Sequence, residues 1–205
     1  MTSNISSAQK YRITIVLIAV NVAVYIYTSI AGGDFFTTNF TATTNQLAQY
    51  NPAVINGAYY QLFTSMFVHA SIIHIAGNML FLLIFGLRGE EMFSLPEYLG
   101  VYILGGLAGN VLSLLIPNMG SVGASGAIFA LFGAVAVYAR RSIGQSIIGA
   151  LVFGFFLFII SAGPDVNYLA HIGGLVSGLA MGYILARVHK PKVNYRVTYN
   201  YMAPF

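Results

Sequence analysis

The 205-residue sequence predicts an all-α, polytopic membrane protein that crosses the bilayer six times. Three observations predict it. Hydrophobic residues make up 58% of the chain and charged residues 7%, against roughly 45–50% and 25% in a soluble domain. Too few polar side chains remain to cover a water-exposed surface. Apolar stretches of about the length that spans a hydrocarbon core recur along the chain. Finally, Lys and Arg fall only at the termini and between alternate apolar segments, as the positive-inside rule requires.

The first segment is Ile13–Ile30. Lys10 and Arg12 precede it and Ala31-Gly32-Gly33 follows it, a pattern shared with signal peptides. Signal h-regions span only about 7–15 residues, and this run is longer, so it reads as a retained helix. Residues 31–70 form a long connection carrying Asn45, Gln46, Asn51, Pro52 and Asn56 beside Ala53, Val54 and Ile55. A connection of that length has structure of its own or a function. Short helices at the outer interface are expected, with Tyr59 and Tyr60 at headgroup depth.

The remaining segments are Ile72–Leu87, Tyr98–Ile116, Ala124–Tyr138, Ile143–Ile160 and Tyr168–Ala186. The second and fourth of the six are short, and short segments are tolerated where neighbours shelter them from lipid. With the N-terminus inside, Arg88, Arg140 and Arg141 lie in inner connections, and Arg187, Lys190, Lys192 and Arg196 in an inner tail. Asp34 and Asp165 lie outside. The count is therefore six segments, N-in and C-in. The chain reads as one membrane domain over 1–205, with a cytoplasmic N-terminus at 1–12, an outer interfacial loop at 31–70 and a cytoplasmic tail at 187–205.

The net charge of +4 records this topology rather than nucleic-acid binding, because no basic run exceeds two residues. The chain has no cysteine, which excludes disulfides, thiolate catalysis and cysteine metal sites. No metal or cofactor is expected.

Polar side chains inside membrane segments are costly and therefore candidates for function. His74 and Asn78 stand four apart on one face of the second segment. Ser125 opens the fourth within Gly123-Ala124-Ser125-Gly126. His171 opens the sixth within Ala170-His171-Ile172-Gly173-Gly174. Measured back from Arg88, Arg140 and Arg187, His74, Ser125 and His171 lie roughly 21, 22 and 24 Å along their helices. All three reach one level of a core about 30 Å thick.

A serine and a histidine at one depth suggest a nucleophile and its base. No Asp or Glu lies in a membrane segment near that level, so the arrangement is a dyad. Ser125 also stands where a helix N-terminus offers unpaired N–H groups to developing negative charge. Asn78 and His74 could add donors, each contributing roughly 3–4 kcal/mol to the transition state. Gly174, Gly178 and Gly182 form a small face on the sixth segment, matched by Gly126, Ala130 and Gly133 on the fourth. Close contact of those faces would bring Ser125 and His171 together. Each feature also has a plainer reading: a glycine stripe is usually helix packing, and a lone membrane serine usually bonds its own backbone.

At these residues the sequence resembles the rhomboid family of intramembrane serine proteases. The stretch Leu62-Phe63-Thr64-Ser65-Met66-Phe67-Val68-His69-Ala70, with His74-Ile75-Ala76-Gly77-Asn78, resembles the family's second-helix signature. Gly123-Ala124-Ser125-Gly126-Ala127 resembles its nucleophile motif. Ala170-His171-Ile172-Gly173-Gly174-Leu175-Val176-Ser177-Gly178 resembles its last signature.

The resemblance implies that Ser125 attacks the peptide carbonyl, that His171 is its base, and that Asn78, His74 and the Ser125 N–H stabilise the oxyanion. It implies a large outer loop at 31–70, a cap at Ser161–Asn167 and a fifth helix that gates substrate entry. Its substrates would be single-pass transmembrane proteins, cut on the extracytoplasmic side of a cell membrane. Two departures stand out. Tyr60-Gln61 replaces a Trp-Arg pair that is structural in many members, which puts the loop packing in question. Phe129 replaces a tyrosine that stacks on the catalytic histidine; it keeps the ring face and loses the hydroxyl. The alternative function is a catalytically inactive rhomboid-like protein that binds or escorts membrane proteins.

Overall fold

A helix facing lipid reverses the soluble pattern, with its small and polar side chains turned inward. α1 (Arg12–Gly32) does so. Thr14, Asn21, Thr28 and Ser29 are fully buried, while Val16, Tyr27 and Ile30 are more than half exposed. The computed structural model describes residues 12–38, 41–144, 148–149, 152, 154 and 166–189. Most of the expected fifth segment, Ile143–Ile160, and most of the expected cap at Ser161–Asn167 lie outside the described residues. So do Lys10 and the C-terminal tail from Lys190 onward.

The connection after α1 folds back as α2 (Ala42–Leu47), β1 (Gln49–Tyr50), α3 (Asn51–Ile55), α4 (Gln61–Thr64) and a 3-10 turn over Ser65–Phe67. The short helices match the sequence expectation. The β-strand does not: β1 pairs antiparallel with β2 (Gly120–Ser121), placing Gln49 opposite Ser121 and Tyr50 opposite Gly120. A two-residue strand is too short for periodicity to reveal, and its partner lies far along the chain.

α5 (Ile72–Met92) starts at Ser71, whose hydroxyl accepts the His74 N–H. α6 (Leu95–Ser113) starts with a capping box, in which the Ser94 N–H and hydroxyl both reach the Glu97 carboxylate at 2.7 Å. α7 (Ser125–Ile143) ends at Gly144, whose φ of +66° suits a residue without Cβ. α8 (Tyr168–Val188) is capped by Asn167.

The second and fourth expected segments are short and end at Leu87 and Tyr138, whereas their helices α5 and α7 run 21 and 19 residues, to Met92 and Ile143. Helix continues past each basic marker because the local chemistry favours it. Arg88 pairs with Glu91 one turn on. Glu90 accepts the Thr14 N–H at 2.6 Å, a tie between α5 and α1. Arg140 and Arg141 sit in the last turn of α7, where the helix dipole favours cations. The third segment is also displaced, to Leu95–Ser113, because its cap, Ser94, lies four residues ahead of the apolar run.

α7 is the centre of the bundle: every residue from Gly126 to Val135 is buried. It packs on α8, α6 and α5, while α6 also packs on α8 and α5 on α1. Glycines allow this density. A Cβ at Gly178 or Gly182 would strike the Ala130 or Ala134 backbone, and one at Gly133 would meet the Leu175 carbonyl at 2.9 Å. Among the described residues, Ile13–Gly32, Ile72–Met92 and Tyr168–Val188 are helices long and apolar enough to cross a membrane.

Candidate active site

The site is built on the turn that leads into α7. Gly123 holds φ at +116°, in the region that L side chains avoid. A Cβ there would lie 2.8 Å from His74 Nε2 and 3.6 Å from Asn78 Nδ2. Glycine thus lets two side chains from α5 approach the backbone just before Ser125. The turn then places Ser125 as the first residue of α7.

Ser125 Oγ lies 2.8 Å from His171 Nε2. The α7–α8 contact sets that distance: a Cβ on Gly174 would fall 3.0 Å from Gly126 Cα and closer still to the Gly126 carbonyl. His171 lies in the first turn of α8 and is 6% exposed. Phe129, one turn below Ser125, stacks on its ring with centroids 4.8 Å apart and planes 27° from parallel. The face expected from the departing tyrosine is therefore present. If the Ser125 hydroxyl donates to Nε2, the proton of a neutral His171 resides on Nδ1. That atom is buried without a hydrogen-bond partner among the described residues, as is Asn167 Nδ2 one turn earlier.

The tautomer of His74 follows from its other contact. The Ala70 N–H donates to Nδ1 at 3.4 Å, which leaves Nε2 as the protonated nitrogen facing Gly123. Asn78 donates to the His74 carbonyl at 3.1 Å and is 7% exposed. Four sequence-selected side chains, on α5, α7 and α8, therefore gather around one turn, with Gly126, Gly174 and Gly178 in the packing between α7 and α8.

His69, within the second-helix signature, sits behind His74. It is fully buried, edge-on to the His74 ring at 5.2 Å, and its Nδ1–H donates to the Phe67 carbonyl at 3.2 Å. Burial first, and His74 second, hold its pKa down at about 3, against the opposing effect of the Phe67 carbonyl. It is neutral at physiological pH and acts as packing behind His74.

Sequence reasoning did not single out a second buried polar group. The Asn110 side chain donates to the Leu62 carbonyl at 2.8 Å and to Ser65 Oγ at 3.0 Å. Gln49 donates to Asn51, to Ser113 Oγ and to the Asn110 carbonyl at 2.8–3.0 Å. Asn110 was detectable, as an amide inside an apolar segment; its partners were not. The Tyr60-Gln61 departure also gains an account. Gln61 is 4% exposed, accepts the Tyr50 N–H at 3.0 Å, and donates to the Asn45 and Gln46 carbonyls at 3.3 and 3.4 Å. The outer loop is tied together by this amide.

A family model described as the Rhomboid domain matches residues 56–188. The chain is 39% identical over 135 residues to RHOMBOID-like protein 6, mitochondrial, of Arabidopsis thaliana, covering 62% of this chain and 43% of the relative. It is 33% identical over 143 residues to Rhomboid-like protease 3 of Toxoplasma gondii, covering 65% and 54%. It is 30% identical over 177 residues to Rhomboid protease GluP of Bacillus subtilis, covering 82% and 34%. The chain thus spans about half or less of the length of these curated relatives.

Proposed function

The chain belongs to the rhomboid family of polytopic membrane proteins, and on that premise we propose that it is an intramembrane serine endopeptidase with Ser125 as nucleophile and His171 as general base. The observation that carries the reading is the 2.8 Å contact between Ser125 Oγ and His171 Nε2, beside a turn that His74 Nε2 and Asn78 Nδ2 both face. Two of the relatives bear the name of protease.

In this mechanism the Ser125 oxygen attacks the scissile carbonyl and its proton passes to His171 Nε2. The carbonyl electrons move onto the oxygen, which the Ser125 N–H, the His74 Nε2–H and the Asn78 amide receive. Asn78 holds the His74 carbonyl with one N–H, which leaves its second N–H for the oxyanion. As the intermediate collapses, His171 returns the proton to the departing amine and an acyl-Ser125 ester remains. Water then attacks the ester, with His171 taking its proton and passing it back to Ser125. These steps need no metal or cofactor.

The finer reading is six membrane-spanning helices, N-in and C-in, in one domain with cytoplasmic tails at 1–12 and 187–205. The site faces the extracytoplasmic side of a cell membrane, and the partners are single-pass transmembrane substrates and the bilayer. A catalytically inactive escort protein would have no need of the Ser125–His171 contact. The test is cleavage of a single-pass substrate in detergent, with fluorophosphonate labelling. Native protein labelled at Ser125 and active, with Ser125→Ala inert, supports the proposal; labelling at another residue, or cleavage by Ser125→Ala, overturns it.

A further inference from the structure

We propose that Asn110, through Ser65, is a positioning residue that fixes the turn carrying the nucleophile, so that the outer loop braces Ser125 without touching the reacting atoms. The inference rests on the assignment of Ser125 above and goes beyond it.

The turn from β2 to α7 is held from both sides. Upstream, β1 pairs with Gly120 and Ser121, and the Asn51 N–H donates to the Met119 carbonyl at 3.0 Å. Downstream, the Gly123 N–H donates to the Ser65 carbonyl at 2.9 Å. That bond orients the peptide two residues before Ser125, in a backbone conformation only glycine holds without strain. The direction of the Ser125 N–H and the start of α7 follow from it.

The Ser65 carbonyl is only as fixed as Ser65 itself, which ends a four-residue helix in a 3-10 turn. Such short elements have little stability of their own. Asn110 supplies the anchor. Its amide nitrogen carries two protons and uses both, one on the Leu62 carbonyl and one on Ser65 Oγ. A single side chain of α6 thereby grips α4 at Leu62 and the start of the 3-10 turn at Ser65. Its backbone carbonyl in turn accepts Gln49 Nε2, which joins the grip on Ser65 to β1 and so to the upstream side. Asn110 and Ser65 are 6% and 1% exposed, so water does not compete for these bonds.

A misplacement of about 1 Å at a reacting group can cost roughly 100-fold in rate. A residue that only stabilised the fold would leave the reactivity of Ser125 unchanged in protein that remains folded. The experiment measures the fluorophosphonate labelling rate of Ser125, kcat and KM, and the thermal unfolding midpoint for native, Asn110→Ala and Ser65→Ala proteins. Ser65→Ala keeps the backbone carbonyl and removes only the hydroxyl that Asn110 grips, so it is the milder variant and decides the matter if Asn110→Ala does not fold. Asn110→Ala is expected to lower labelling and kcat together by about 10- to 100-fold with KM within about twofold. Ser65→Ala is expected to lower both by a smaller factor. Folded Ser65→Ala or Asn110→Ala that labels at the native rate overturns the inference, as does a change in KM alone. Failure of the native protein to label at Ser125 would instead overturn the proposed function, so the two failures are distinguishable.

Discussion

Replacing Gly174 by alanine tests whether the α7–α8 contact controls the chemistry. An alanine Cβ would stand 3.0 Å from Gly126 Cα, 2.8 Å from its carbonyl carbon and closer to its oxygen. All three atoms are backbone, so no side chain can swing aside. Ordinary contact begins near 3.4 Å, so the helices must part by about 1 Å at that level. Ser125 adjoins Gly126, and His171 lies one turn from Gly174. Their 2.8 Å separation would open to about 3.8 Å, beyond hydrogen-bond reach. The expected outcome is a fall in kcat of about 100-fold and a stability loss of about 1–3 kcal/mol. Turnover of a single-pass substrate, read beside thermal unfolding in the same detergent, measures both. A folded Gly174→Ala protein with kcat within twofold of native would refute the reasoning, because the glycine would then be dispensable to the Ser125–His171 distance.

Ser125→Ala and His171→Ala should each abolish proteolysis while leaving the unfolding transition intact; residual turnover above a few per cent in purified Ser125→Ala would reject it as nucleophile. Asn78→Ala should reduce kcat by about 100- to 1000-fold with KM nearly unchanged, and steady-state kinetics showing a rise in KM alone would remove it from the oxyanion site. Gln61→Ala should leave the Tyr50 N–H unsatisfied beneath the outer loop and lower stability by about 1–3 kcal/mol, a loss that an unchanged unfolding midpoint would disprove. Substrates should be cut near the outer end of a single-pass helix, after a small residue and beside Gly or Pro, which weaken helix by about 1–3 kcal/mol; mass spectrometry of products from a series with the cut region moved turn by turn decides this.

What could be read from the sequence was mostly local or periodic. α1, α5, α6, α7 and α8 each overlap an apolar segment, because about 20 apolar residues between charged flanks have few alternatives in lipid. The meeting of Ser125 with His171 followed from equal distances to basic markers and from glycines four apart on facing segments. The ends of α5 and α6 did not follow, since Glu90 is held by Thr14 on another helix and the Ser94–Glu97 box lies outside the apolar run. The group around Asn110 was hidden for the same reason. Its amide was visible, but Ser65, Leu62 and Gln49 lie 45 to 61 residues away and reach it only because the outer loop folds back.

The burial of α7 frees it from hydrophobic matching. A helix that faces acyl chains has its apolar length dictated by bilayer thickness, and a mismatch costs fractions of a kcal/mol per Å in tilt or lipid deformation. From Gly126 to Val135 α7 meets only protein, so lipid exerts no such demand on where it begins. Its first residue can lie at whatever depth suits Ser125, while α1, α5 and α8 carry the spans long and apolar enough for a membrane. A change in bilayer thickness would therefore tilt or stretch the outer helices first and reach the nucleophile only through their packing on α7.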